Sequence, residues 1–177
     1  TIGGNIAENS GGVHCLKYGL TIHNILEIRY VTANGDIITA GSSCYDNPGY
    51  DIIALLTGSE GMLGVILEAK VKLLATPERS ELMLAAFDDI SDAGEAVAAI
   101  IAGGIIPAGL EMMDKAVIQA TENFCQPGYP VEAEAILLCE LDGYGDALQK
   151  QLNQVKTHCE QHNASVIKTA ANAQEQD

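Results

Sequence analysis

The chain has 177 residues, 47 % apolar and 19 % charged, a globular composition with enough material for one ordinary domain or two small ones. Its 24 acids against 9 bases leave a net charge of −15, so a phosphate backbone or an anionic lipid surface would be repelled, and neither nucleic acid nor a basic membrane patch is expected. No apolar run reaches the roughly eighteen residues of a membrane span, and no segment resembles a signal peptide.

The chain opens TIGGNIAENSGG, residues 1–12, a Gly- and Asn-rich stretch that reads as a loop. Next, LEIRYVTANGDIITA reads as a hairpin, with β-branched flanks at 28–32 and 36–40. Its Asn34-Gly35 pair suits the centre of a type I′ turn, where both residues need positive φ. Asp51, in NPGYDI, reads as a turn-fixing residue. GVILEAKVKLL alternates: Val65, Leu67, Ala69, Val71 and Leu73 face one way and Glu68, Lys70 and Lys72 the other, a strand with one wet face. ATPERSE, 75–81, is polar, contains Pro77 and reads as the linker to a second half of different texture.

In that half ELMLAAF is a strand candidate. SDAGEAVAAIIAGG follows as a helix, capped by Ser91, with Asp92 and Glu95 at its positive end, an apolar stripe of Ala93, Val97, Ile100 and Ile101, and a Gly103-Gly104 stop. PAGLEMM is a second strand, running into a helix over 115–124, and QPGYP breaks the chain. EAEAILLCELDG is a third strand. In GDALQKQLNQVKTHCEQHN, Leu148, Leu152, Val155 and Cys159 share one helical face. ASVIKTA closes as a last strand, and the acid-rich tail is expected to fray. Alternating units of this size predict a ferredoxin-like α+β layer with helices on one face of a largely antiparallel sheet.

Cysteines at 15, 44, 125, 139 and 159 are odd in number, widely spaced and without a C-x-x-C, which fits reduced buried thiols in a cytosolic protein better than a disulfide framework or a zinc site. His158 and His162, at i and i+4, lack a third ligand in pattern, so a solvated polar face is the better reading than a metal pair.

Two glycine-rich segments carry the functional signal. TIGGNIAENSGG is neither a Walker loop nor a G-x-G-x-x-G fingerprint. By itself it is either an exposed loop or a backbone surface for a flat or anionic ligand; the net charge does not oppose one anion held locally by N–H groups. LLTGSEGMLGVI adds Gly58, Gly61 and Gly64 at three-residue intervals, more than a hairpin needs. Two such segments in one short half argue for a shared ligand site.

TIGGNIAENSGGVHCLKYGLT, followed by NPGYDIIALLTGSEGMLGVI, resembles the FAD-binding domain of FAD-linked 2-hydroxy-acid oxidoreductases of the vanillyl-alcohol-oxidase type. GGIIPAGLEMMDKAV and PVEAEAILLCELDG are most similar to the flavoprotein subunits of bacterial glycolate oxidases, with D-lactate dehydrogenases as near relatives. The resemblance implies an α+β fragment: residues 1–76 as the second part of an FAD-binding subdomain, and 80–177 as the first part of a ferredoxin-like substrate (cap) domain. It implies that Thr1, Gly3, Gly4, Asn5, Ala7, Asn9, Gly11 and Gly12 line FAD, with Tyr18 and Gly19 near the same site. Glu60, Gly61, Gly64, Val65 and Ile66 would support the flavin or adenine end, with a structural cap as the equal alternative for Glu60. Nothing marks His14 or Cys15 as a covalent flavin attachment.

The reaction implied is hydride transfer from a 2-hydroxy acid, glycolate first and D-lactate next, to the flavin, giving the 2-oxo acid. Relatives place the proton-handling groups in a His-rich C-terminal motif, G-E-H-G-I-G, which this sequence lacks, so no catalytic residue is assigned and no metal is expected. An earlier Gly-rich loop of relatives also lies outside it. The chain is therefore expected to be inactive alone, to bind FAD weakly, and to expose an apolar face or open sheet edge that invites self-association. Other subunits of a multi-subunit oxidase are the implied partners, in the cytoplasm or at the inner membrane face through them. The alternative is a non-catalytic ferredoxin-like binding or dimerisation module. An intact small enzyme using another nucleotide is disfavoured by the absence of an acid/base constellation.

Overall fold

Residues 1–44 and 48–170 are described by the computed structural model, so the tail expected to fray lies outside the described residues. The chain divides into two units, Thr1–Ala75 and Thr76–Asp177, at the polar stretch before Pro77.

The first unit opens on a helix where the composition reads as loop. Helix α1 spans Ile2–Glu8. Thr1 caps it, its Oγ1 accepting from Gly4 N at 3.1 Å, and Asn9 ends it in the left-handed region at φ 49°. Two glycines are poor helix formers, but Ile6 is completely buried and anchors the turn to the core. Tertiary burial outweighs local propensity here.

Helix α2 (Cys15–Tyr18) and a 3₁₀ turn (Thr21–Asn24) lead into strand β1 (Ile25–Val31). Strand β2 (Ile37–Gly41), helix α3 (Ile52–Leu56) and strand β3 (Val65–Val71) complete the unit. The sheet order is β2-β1-β3, antiparallel throughout. Ile6, Ile25, Ile28 and Leu56 form its core, with Tyr30, Ile52, Ile53, Ile66 and Ala69 packed against them. Asp51 caps α3, its Oδ1 accepting from Ala54 N at 2.9 Å, as a turn-fixing residue should.

Two local readings are corrected. The hairpin exists, but its turn is not type I′, because Asn34 is not among the residues with positive φ. Gly35 N donates to Thr32 O, Thr32 N donates to Asp36 O, and Gly35 alone is left-handed at φ 86°. That is a tight turn closed by a glycine bulge, the usual three-residue hairpin loop. The strict alternation of β3 also fails. Its pairing with β1 shifts between Arg29↔Glu68 and Tyr30↔Ile66, so Leu67 is the extra residue of a bulge. Ile66 and Ala69 face the core, while Val65 and Leu67 are exposed.

The second unit runs β4 (Arg79–Phe87), α4 (Ile90–Ala102), β5 (Gly109–Asp114), α5 (Lys115–Cys125), β6 (Ala135–Gly143), α6 (Gly145–Gln161) and β7 (Val166–Thr169). Its antiparallel sheet has the order β5-β6-β4-β7, which is the ferredoxin-like order with α5 added between the second and third strands. Met83, Ala85 and Phe87 of β4 pack with α4 and α6 residues on one face. The alternate residues Leu84 and Ala86 pack with Ile118 of α5 on the other. Helices therefore cover both faces, not one as expected, because the inserted α5 buries Ile118 against the side the other two leave bare.

The α6 stripe of Leu148, Leu152, Val155 and Cys159 is buried as read. In α4 the cap is Asp89, whose Oδ1 accepts from Ser91 N at 2.8 Å, so Ser91 donates rather than caps. Its buried face is Ala93, Ala96 and Ile100, with Ile101 exposed: residues at i, i+3 and i+7 face one way, and Ile101 lies a further 100° around the helix.

Cys139 and Cys159 lie in the larger core, and burial pushes their thiols up to about 12 and about 11. A folded pKa above the unfolded one means the neutral thiol stabilises the fold. That contribution is whole below pH 9 and is lost as pH rises through about 11 and 12. Thiol reagent at pH 8 is expected to modify exposed Cys44 and Cys125 in the native chain, and Cys139 and Cys159 only in denaturant. The denaturant midpoint is expected to fall between pH 9 and 11, less steeply in Cys159→Ala. Thr57 Oγ1 is buried without a hydrogen-bond partner. Thr57→Val is expected to be neutral or to stabilise by up to about 1 kcal/mol in urea unfolding, since it removes an orphaned hydroxyl at nearly constant shape.

Candidate functional site

The two glycine-rich segments meet. After α3 the chain turns back through a run of left-handed residues, Gly58 at φ 79°, Glu60 at 52° and Gly61 at 78°. Gly58 N donates to Ile6 O at 2.8 Å and Glu60 N to Ala7 O at 2.9 Å. These carbonyls belong to the last turn of α1: Ile6 O accepts a second bond beside the one from its cap, Asn9 N, at 3.2 Å, and Ala7 O gains a donor from beyond the helix. Gly58 also lies where an added Cβ would stand 3.3 Å from Asn9 Cβ, so its bare backbone permits the approach.

Helix α1 has two faces. Ile2, Asn5 and Ile6 face a cleft of about 470 Å³ within the first unit. Gly3, Gly4 and Ala7, at i, i+1 and i+4, form the other, almost bare face, reached at Ala7 O by the turn at Glu60. A Cβ on Gly3 or Gly12 would meet nothing within 4 Å, and neither residue has positive φ. Among the described residues nothing requires glycine at these two positions, although Gly3, inside α1, costs about 0.5–1 kcal/mol relative to alanine.

Of the fifteen residues singled out by resemblance, the cleft gathers Asn5, Gly11, Gly12, Tyr18 and Gly19. Thr1, Gly3, Gly4, Ala7 and Asn9 belong to α1 and its caps but not to the cleft wall, and none of Glu60, Gly61, Gly64, Val65 and Ile66 lines it. Several have work inside the fold. Asn9 Oδ1 accepts from Ile22 N at 3.1 Å, holding the 3₁₀ turn. A Cβ at Gly64 would come within 2.7 Å of Tyr30 Cδ2, and Ile66 packs on the core. Glu60 makes no side-chain cap; its backbone N–H does the docking.

The cleft wall also holds His14, Cys15, Leu20, Thr21 and Asn24, which the sequence did not single out as ligand contacts. Cys15 Sγ accepts from Gly12 N at 2.9 Å. Asn24 Nδ2 donates to Tyr18 O and Leu20 O, fixing the wall. Among the described residues no Asp or Glu lines the cleft, in a chain with a net charge of −15. It offers amide, hydroxyl and imidazole groups with apolar side chains, a surface suited to binding an anionic or flat ligand. Elsewhere, His162 Nδ1 stands 3.4 Å from Glu95 Oε2, so that histidine pairs across to α4. Among the described residues no group of three or more His, Cys, Asp or Glu is arranged for a metal ion, and no helix is long and apolar enough to cross a membrane.

Comparison with known proteins identifies the family. A family described as "FAD linked oxidases, C-terminal domain" matches residues 76–177, and one described as "FAD binding domain" matches residues 1–41. The glycolate oxidase subunit GlcD of Escherichia coli K12 is 55 % identical over 171 residues, 97 % of this chain and 33 % of that protein. The subunit of the same name from Bacillus subtilis is 42 % identical, over 99 % of this chain and 37 % of that protein. A D-lactate dehydrogenase of Anaerostipes hadrus is 33 % identical, over 81 % of this chain and 32 % of that protein. A solved structure of alkyldihydroxyacetonephosphate synthase superposes with a TM-score of 0.80 at 22 % identity, over 97 % of this chain and 35 % of that one, and shows the shared fold. The chain thus spans about a third of the length of the curated relatives it matches. The chain belongs to the FAD-linked oxidases.

Proposed function

We propose that this chain works as part of a longer FAD-dependent oxidoreductase that oxidises a small 2-hydroxy acid to its 2-oxo acid, glycolate first and D-lactate next. The names of the relatives support the substrate class. The observation that carries the cofactor site is the open space at Gly3 and Gly12: no described residue comes within 4 Å of a Cβ at either, and a flat ligand pressed on the backbone would supply a reason for glycine.

In this reading Thr1, Gly3, Gly4, Asn5, Ala7, Gly11 and Gly12 hold the cofactor, bordered by Tyr18 and Gly19. Glu60, Gly61 and Val65 complete the surface, while Asn9, Gly64 and Ile66 hold its shape from behind. Bound FAD supplies the hydride acceptor; this chain's residues bind it, orient it and keep bulky side chains away. No residue of the chain is assigned a proton-transfer role. Other subunits of a multi-subunit oxidase are the proposed partners, in the cytoplasm or at the inner membrane face through them. Exposed Met62, Leu73 and Phe124 support self-association of the chain when it is alone.

Two glycine substitutions separate binding from folding. Gly3→Ala is expected to stabilise the chain by about 0.5–1 kcal/mol in urea unfolding, yet to weaken FAD binding by the intact flavoprotein. Gly58→Ala is expected to destabilise by about 1–2 kcal/mol, because it combines positive φ with the Asn9 contact. FAD titrated into the chain alone is expected to bind weakly and without glycolate turnover, whereas the intact flavoprotein is yellow and is bleached by glycolate or D-lactate. An intact protein with no flavin spectrum and no FAD binding would exclude this function.

A further inference from the structure

Ile6 and Ile25 are buried, and no residue between them is, although this stretch supplies most of the cleft wall. Helix α2 and the 3₁₀ turn within it have four residues each and bury none. Pieces this short do not hold themselves in place. With no apolar anchor, the wall is positioned by polar bonds. Thr21 Oγ1 donates to Ser10 O at 2.8 Å, and Asn9 Oδ1 accepts from Ile22 N at 3.1 Å.

Asn24 does more than either. Its Nδ2 donates to Tyr18 O at 3.0 Å and to Leu20 O at 3.1 Å, so both hydrogens of one amide hold the carbonyls on the two sides of Gly19. Its own backbone carbonyl accepts from Lys72 N at 2.8 Å, just past the end of β3. One residue thus ties the wall at Gly19 to the sheet. The side-chain bonds are only partly buried, and Leu20 O keeps a second donor, His23 N at 3.1 Å. Losing the amide therefore frees the wall without opening either the core or a buried orphan at Leu20.

We propose that Asn24 is a positioning residue: its carboxamide holds the Tyr18–Leu20 main chain in the place where the cleft receives its ligand. This rests on the FAD reading above. A wall without core contacts is the part of the unit that moves most readily, so the side chain that fixes it governs how well the cleft is formed before binding. Aspartate has the same shape but turns an acceptor toward two carbonyls, and it pushes the wall away where alanine only releases it.

The test uses the intact flavoprotein with Asn24→Ala and Asn24→Asp. It measures the FAD dissociation constant, the visible circular dichroism of the flavin at saturating FAD, and the melting temperature of the apoprotein. Asn24→Ala is expected to raise the FAD dissociation constant about tenfold, and Asn24→Asp to raise it further. Both are expected to change the visible dichroism, which reports how the flavin is held, while the apoprotein melts within about 2 °C of the wild type. If the wild type binds FAD and both variants bind it as tightly with an unchanged dichroism, the positioning role is overturned and the FAD reading stands. A melting temperature lower by about 5 °C or more with the dichroism unchanged would also overturn it, by making Asn24 a support of the fold alone. Failure of the wild type to bind FAD would overturn the FAD reading and the role together.

Discussion

The first unit depends on two backbone hydrogen bonds, Gly58 N to Ile6 O and Glu60 N to Ala7 O. A helix of seven residues with two glycines has little stability of its own. It persists because Ile6 is buried among Ile25, Ile28 and Leu56, and because its final carbonyls find donors in a segment some fifty positions on. Asn9 ties the arrangement together, ending the helix in the left-handed region while its side chain holds Ile22 N.

That docking explains why the region is poor in side chains. Glycines at 11, 19 and 64 are required by packing, since a Cβ would come within 2.7 Å of Leu20, His23 or Tyr30. Those at 3 and 12 answer to no neighbour. The distinction separates residues that build the surface from residues the surface leaves open. In a strongly acidic chain, the described residues that line the adjoining cleft include no carboxylate.

Much of the second unit was legible in the sequence, because burial there follows simple periods. Leu148, Leu152, Val155 and Cys159 recur at helical spacing and are buried. Leu84 and Ala86 alternate with Met83, Ala85 and Phe87 to serve two opposite cores. What was not legible depended on partners far along the chain. The helix at Ile2–Glu8 defies its glycines because Ile6 has a core to enter. The phase of β3 breaks at Leu67 because the register with β1 slips there, which periodicity within one strand cannot reveal. Asn34-Gly35 fits two turn types, and the bonds at Thr32 choose between them. At the candidate site the residue types were visible, but their sorting was not: that Gly64 answers to Tyr30 and Gly3 to nothing is a property of packing alone.

Backbone hydrogen exchange on the intact flavoprotein, with and without FAD, tests most directly whether the docked turn and α1 form one ligand surface. The account predicts that the amides of Gly58 and Glu60 are protected in step with those of α1 in the apoprotein, and that FAD slows exchange over 3–12 and 58–64 together. Protection of one stretch by FAD with no change in the other would contradict it.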